Sequence, residues 1–377
     1  MVASACLMGL IGSSAFARKA TMPPVKLDHI AVWVDDLDAT ARFLTDIVGW
    51  KRHPIEFGVP DTENKTGGIK LAFIDTNGFW LELVSPQSPG PARDVLVSKG
   101  DGAYGELAFE AQNYDQVLRA AQLRRIGLLN MDGSPLGRDG GSIQQSIVTE
   151  HGLEQRDLRI AYLPKGLSRG TAVEFYEYRP DVATDIYTIR NTTRQPAQFA
   201  PSTPRVDRIA IIVEDVKKSA DFYTKVLGLK RHPTIFEMDG GKNARSGGMK
   251  VSFVNAGPVW LALVQPVGPG PLMDYLREKG DGHIAELIIE VDDIAAYYDQ
   301  MKRKGIHLVD TRGNPLDDKE KAHVLQPFGD KIAYFPTSVS RGMVIEVSER
   351  GPRATSLIQR RDAWWNSRRA PMTRQPN

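Results

Sequence analysis

One cysteine, seven histidines and a set of acids embedded in apolar segments carry whatever chemistry this 377-residue chain performs. Cys6 alone rules out a disulfide framework, a thiolate zinc site and an iron–sulfur cluster. No Gly-x-Ser-x-Gly element and no Cys/His pair announces a nucleophile. The pairs Gly67-Gly68 and Gly247-Gly248 lack the strand–GxGxxG–helix setting of a dinucleotide site and read as turns. The acids say more. Glu82 sits between Leu81 and Leu83, Glu174 between Val173 and Phe175, and His29 between Asp28 and Ile30. On a strand of period 2, such a side chain faces away from its apolar neighbours. Buried without a partner, a carboxylate costs on the order of several kcal/mol. A single glutamate of this kind reads as a polar lining or an outward-facing edge position.

The elements that would carry these residues occur in repeats. Arg52-His53-Pro54 returns as Arg231-His232-Pro233, Trp80-Leu81 as Trp260-Leu261, and Pro89-Gly90-Pro91 as Pro269-Gly270-Pro271. Lys99-Gly100-Asp101-Gly102 returns as Lys279-Gly280-Asp281-Gly282, at an offset of 180. Arg169-Gly170 matches Arg341-Gly342 at an offset of 172, so the first half carries about eight extra residues between Gly137 and Tyr162, read as a longer loop. Within each half, an alternating apolar run leads to an Asp N-cap, a helical pattern and a Gly stop. The order is seen at Leu27–Val34 with Asp36, Ala39, Phe43, Leu44 and Gly49. Short strand-like runs follow, such as Lys70–Ile74 and Phe79–Val84. The unit is strand, helix, then two or three strands, four times over.

Composition bounds the partners. Lys and Arg total 48 against 46 Asp and Glu, so nothing electrostatic favours nucleic acid. Hydrophobic residues at 41% and charged residues at 25% exclude disorder for most of the length. No run of 18 apolar residues signals a membrane span. Residues 1–20 read as an export signal, with Ala15-Phe16-Ala17 as a cleavage triplet, or as an apolar tail; no Lys or Arg precedes the apolar stretch. The location expected is periplasmic or secreted if the signal is real, and cytoplasmic otherwise. Residues 181–204 read as a linker and 351–377 as a basic tail.

Four βαβββ units in two pairs resemble the vicinal oxygen chelate superfamily of glyoxalase I, methylmalonyl-CoA epimerase, extradiol dioxygenases and bleomycin-resistance proteins. Leu27-Asp28-His29-Ile30-Ala31-Val32, Trp80-Leu81-Glu82-Leu83-Val84-Ser85-Pro86 and Gly100-Asp101-Gly102 ahead of Glu106-Leu107-Ala108-Phe109-Glu110 are closest to its epimerase and glyoxalase branch. The resemblance implies an α+β fold of tandem βαβββ modules. Two paired-module domains, 25–180 and 205–350, each form a curved, cup-shaped mixed sheet with helices outside. It further implies metal ligands at His29, Glu82, Glu106 and Glu174. One imidazole and three carboxylates suit a divalent Mn, Fe, Ni, Zn or Mg. Relatives that hold a metal usually have His where this chain has Glu106, which leaves Glu106 or Glu174 open as a catalytic proton acceptor. The matching positions of the second half are Arg208, Ala262, Glu286 and Glu346. Arginine has no lone pair to offer and alanine no donor, so no metal is expected there, and Arg208 is expected to neutralise Glu286 and Glu346.

His53 and His232, present in both halves, read as serving the fold, and His151 and His283 as loop residues. Asn191-Thr192-Thr193 fits a glycosylation pattern that only a secreted eukaryotic chain uses. The resemblance implies a metal-dependent lyase or isomerase acting on a small oxygen-chelating substrate, as a monomer or homodimer. The alternatives are a non-enzymatic small-molecule binding or sequestering protein and, with only one histidine in the set, an extradiol-type dioxygenase.

Overall fold

The computed structural model describes residues 22–59, 67–111, 113–137, 140–149, 152–177, 190, 199–200, 202–238, 247–325 and 329–351. The N-terminal signal or tail, His151, Asn191, most of the linker and nearly all of the basic tail lie outside the described residues. The first half runs β1 (Lys26–Trp33), α1 (Leu37–Arg42, continued as a π-helical turn over Phe43–Val48), β2 (Lys51–Arg52), β3 (Phe57–Val59), β4 (Ile69–Asp75) and β5 (Trp80–Pro86). It goes on through α2 (Pro91–Lys99), β6 (Ala103–Ala111), α3 (Tyr114–Leu123), β7 (Ser142–Thr149), β8 (Gly152–Tyr162) and β9 (Ala172–Glu177). The second half repeats the order with β10 (Arg205–Ile212), α4 (Val216–Lys225), β11 (Lys230–Met238), β12 (Met249–Asn255) and β13 (Trp260–Pro266). Then come α5 (Pro271–Lys279), β14 (His283–Glu290), α6 (Ile294–Arg303), β15 (His323–Leu325), β16 (Asp330–Tyr334) and β17 (Ile345–Glu349).

The expected Asp caps form: Asp36 accepts from the N–H of Ala39, and Asp215 from those of Lys217 and Lys218. The recurring Pro-Gly-Pro opens an additional helix in each half, with Pro91 and Pro271 in the first turn of α2 and α5. His283 is not a loop residue but opens β14.

Each half builds one mixed sheet. The first runs β4–β5–β1–β6–β9–β8–β7, with β1 parallel to β5 and β6 parallel to β9. Short β3 bonds β4 on one side and β7 on the other, so it links the two ends of the cup. The second sheet runs β11–β12–β13–β10–β14–β17–β16–β15 and has no such bridge among the described residues. The extra residues expected as a longer loop are instead the hairpin β7–β8, paired over its length from Thr149–Gly152 to Ser142–Arg159.

Strand alternation sorts the core. Leu27, Ile30, Val32, Leu81, Leu83, Leu107, Phe109, Val173 and Phe175 face the helices and join their second-half counterparts in one continuous apolar core. There Phe43 meets Phe335 edge-on at 5.4 Å. The opposite faces form separate inner clusters, around Phe57, Phe73, Trp80 and Tyr176 in the first cup and Val251, Val264 and Ile288 in the second.

The halves dock reciprocally. Arg169 reaches Asp281 at 2.7 Å, and its repeat Arg341 faces Asp101 at 3.8 Å. Arg124, after α3, donates to the carbonyls of Lys225 and Val226 at the end of α4. Its repeat Lys304, after α6, donates to the carbonyls of Asp46 and Ile47 at the end of the π-helical turn. At these joins backbone meets backbone. An added Cβ on Gly170 falls 1.8 Å from the Asp281 oxygen, and one on Gly342 falls 1.7 Å from that of Asp101.

Candidate metal centre

Register brings the four candidate residues onto the inner face of the first cup. Across the sheet, Trp80, His29, Ala108, Glu174 and Tyr162 pair in one row. Two residues along, Phe73, Glu82 and Ala31 form the next row, and Glu106 lies on β6 within the irregular pairing opposite Ala31. Alanines thus stand between the chemical side chains. His29, Glu82 and Glu174 are buried, whereas Glu106 is half-buried. An open groove lined by Asp35, Asp38, Glu56, Lys70 and Arg93 is a separate polar feature and shares no residue with this set.

The contacts are those of a charged, water-poor site. His29 Nε2 lies 3.3 Å from Glu82 Oε2, and Nδ1 lies 2.8 Å from Asp28 Oδ2. Burial opposes protonation of this ring, but the charge of Glu82 and the bond to Asp28 raise it to about 9. Asp28 is held well below the usual carboxylate range: burial works against this, and Arg190 together with His29 outweighs it. Loss of hydration, then the charge of Glu82, lifts Glu106 to about 7. Loss of hydration, then the charge of Glu106, lifts Glu174 to about 8. The Tyr162 hydroxyl donates to Glu174 Oε2.

The donor chemistry fits a hard or borderline divalent ion. Three groups are pushed toward their protonated forms where an ion would displace protons. The donors are gathered without being arrayed about a common point: among the described residues, no three His, Cys, Asp or Glu groups are poised for coordination.

The second cup shows what dismantles such a site. Arg208 replaces His29, Ala262 replaces Glu82, and Ile288 fills the place of Ala108 between Arg208 and Glu346. Arg208 pairs with Glu346 at 3.9 Å and with Asp207 at 3.3 Å. Arg208 also opposes the upward shift that burial and Glu346 impose on Glu286. Tyr334 donates to Glu346 as Tyr162 does to Glu174. The paired histidines are turn-formers: Nδ1 of His53 accepts from the N–H of Ile55, and Nδ1 of His232 from that of Thr234.

Three residues with a part in the first cup were outside the sequence-based set. Asp28 and Tyr162 had a signal, since both recur, as Asp207 and Tyr334. Arg190 had none, because it stands in the stretch read as linker.

Comparison with known proteins agrees with this architecture. Mitochondrial methylmalonyl-CoA epimerase of Mus musculus is 29% identical over 174 residues, 45% of this chain and 88% of that protein. Ethylmalonyl-CoA/methylmalonyl-CoA epimerase of Cereibacter sphaeroides is 28% identical over 146 residues, 38% of this chain and 97% of that protein. A variant of 4-hydroxymandelate synthase from Streptomyces coelicolor superposes with a TM-score of 0.57 at 16% identity, covering 92% of this chain and 100% of that one, a likeness of fold alone. A family model matches residues 26–124 and 205–334, and the chain belongs to the Glyoxalase/Bleomycin resistance protein/Dioxygenase superfamily.

Proposed function

We propose that the first cup is a divalent-metal site promoting proton transfer at a carbon next to a carbonyl, as an isomerase or lyase of the epimerase and glyoxalase type. The observation that carries this reading is the placement of His29, Glu82, Glu106 and Glu174 at inward positions around Ala31 and Ala108. These four side chains would hold Mn, Fe, Ni, Zn or Mg. A bound ion of this kind polarises a carbonyl and acidifies the neighbouring C–H.

The chain's own groups do the rest. Burial and neighbouring charge raise both Glu106 and Glu174 above the usual carboxylate range in the metal-free cup, and either one, where an ion does not engage it, can take and return a proton. They stand on neighbouring strands, so one can remove a proton and the other supply one. Tyr162 donates to one oxygen of Glu174 and fixes the orientation of its carboxyl. The apolar wall of Phe57, Phe73 and Trp80 excludes water. The sequence likeness to methylmalonyl-CoA epimerases supports a 2-substituted malonyl thioester as the first substrate to try.

The test is solvent exchange. Methylmalonyl-CoA is incubated in D2O with the protein loaded in turn with Mn, Ni, Zn, Fe or Mg. The expected result is deuterium at C2, lost in Glu82→Ala together with the metal, and lost in Glu174→Gln even at metal concentrations that saturate that variant. A loaded protein that binds the thioester without exchange would point to the sequestering role instead.

A further inference from the structure

Arg190 belongs to the stretch between the halves, yet its side chain is fully buried in the first cup. Its guanidinium lies 4.7 Å from the ring centroids of both Phe73 and Trp80. Its Nη2 donates to Asp28 Oδ2 at 2.6 Å, the oxygen that His29 Nδ1 approaches to 2.8 Å. His53, whose Nδ1 is taken up by the N–H of Ile55, also bonds the backbone of Arg190.

We propose that Arg190 is a positioning residue of the metal centre, clamping Asp28 so that Asp28 fixes the His29 ring with Nε2 turned toward Glu82. The proposal rests on the metal-site reading above. An ionised carboxylate only accepts, so Nδ1 of His29 must carry the hydrogen and Nε2 is the nitrogen left for an ion. A carboxylate at the start of a strand needs its own anchor to define that ring angle. The arginine supplies one that is confined, because its guanidinium carbon sits 4.7 Å from the centroids of two aromatic rings. Burying a guanidinium this deeply is costly unless it is paired, and the pair here is Asp28.

The second half is an internal comparison. Asp207, the repeat of Asp28, is also gripped by an arginine, Arg350, at 3.0 Å. The residue it adjoins is Arg208, so no imidazole is oriented there. The first-half position matching Arg350, at the offset of 172, is Tyr178. The first half therefore draws its clamp from further along the chain.

The test uses the full-length chain, wild type beside Arg190→Met, Arg190→Lys and Asp28→Asn. Mn2+ is titrated into each, and the His29 Nδ1–H signal is followed by 15N-histidine NMR without metal. Arg190→Met and Asp28→Asn are each expected to weaken Mn2+ binding about 10- to 100-fold, the range for losing a partner of a ligand, with the double variant no weaker. The His29 signal should shift or broaden in both. Arg190→Lys should recover part of the affinity, since it keeps the charge and loses the guanidinium's fixed donor geometry. It also serves if Arg190→Met does not fold. Wild-type affinity and an unmoved His29 signal in Arg190→Met and Arg190→Lys would overturn the proposal. If the wild type binds no ion, the metal reading fails by itself, and the NMR signal decides the clamp alone: moved, it stands; unmoved, it falls.

Discussion

Ala108 has no chemistry of its own, yet it separates the two cups as sharply as His29 does. It lies between His29 and Glu174 in the row across the sheet, where the second half has Ile288. Ala108→Ile should therefore abolish Mn2+ binding while the fold survives, at a cost of ~1–3 kcal/mol for overpacking. Calorimetric titration beside thermal unfolding checks both parts. The acids of the second cup make a separate statement about pH. Glu286 is raised from 4.5 to about 8, first by burial and then by the charge of Glu346. Glu346 is also raised by burial, with Arg208 opposing. A carboxyl whose folded pKa exceeds its unfolded one adds stability below the unfolded value and loses it as pH climbs through the folded one. The Tm should fall between about pH 5 and pH 9, and Glu286→Gln should flatten that fall; scanning calorimetry across the range decides it.

Elements explain which part of this was readable in advance. The strand–Asp–helix–Gly order was legible because each step has a local cause, namely period-2 alternation, a side-chain cap and a left-handed stop. Asp215→Ala should cost ~1 kcal/mol by freeing the N–H groups of Lys217 and Lys218, measurable by urea unfolding. The expected ligand positions fall on one face because strand register is periodic. What sequence could not show was partnership at a distance. The hairpin β7–β8 read as a loop, since nothing local reveals that β3 will close against β7. Arg190 read as linker for the same reason: a lone arginine among polar residues has no period, and its aromatic partners lie more than a hundred positions away.

The recurring Lys-Gly-Asp-Gly and Arg-Gly sequences acquire their meaning only in the whole molecule. Each Asp-Gly of one half receives the Arg-Gly of the other. Gly170, at φ +93°, has the Asp281 carbonyl where a Cβ would go, so Gly170→Ala should destabilise by ~3 kcal/mol or more. Gly166→Ala, with nothing within 4 Å of its Cβ, should stay within about 0.5 kcal/mol of wild type. Because the Asp-Gly to Arg-Gly contacts occur in both directions across the join, the halves hold each other without help from the connection, which adds to this by raising their effective concentration. Two separate polypeptides, 22–200 and 202–351, should then find each other unaided. The first must keep Arg190 if its cup is to keep its clamp. The dilution at which they part gives the strength of the join in molar units, free of the chain that normally hides it.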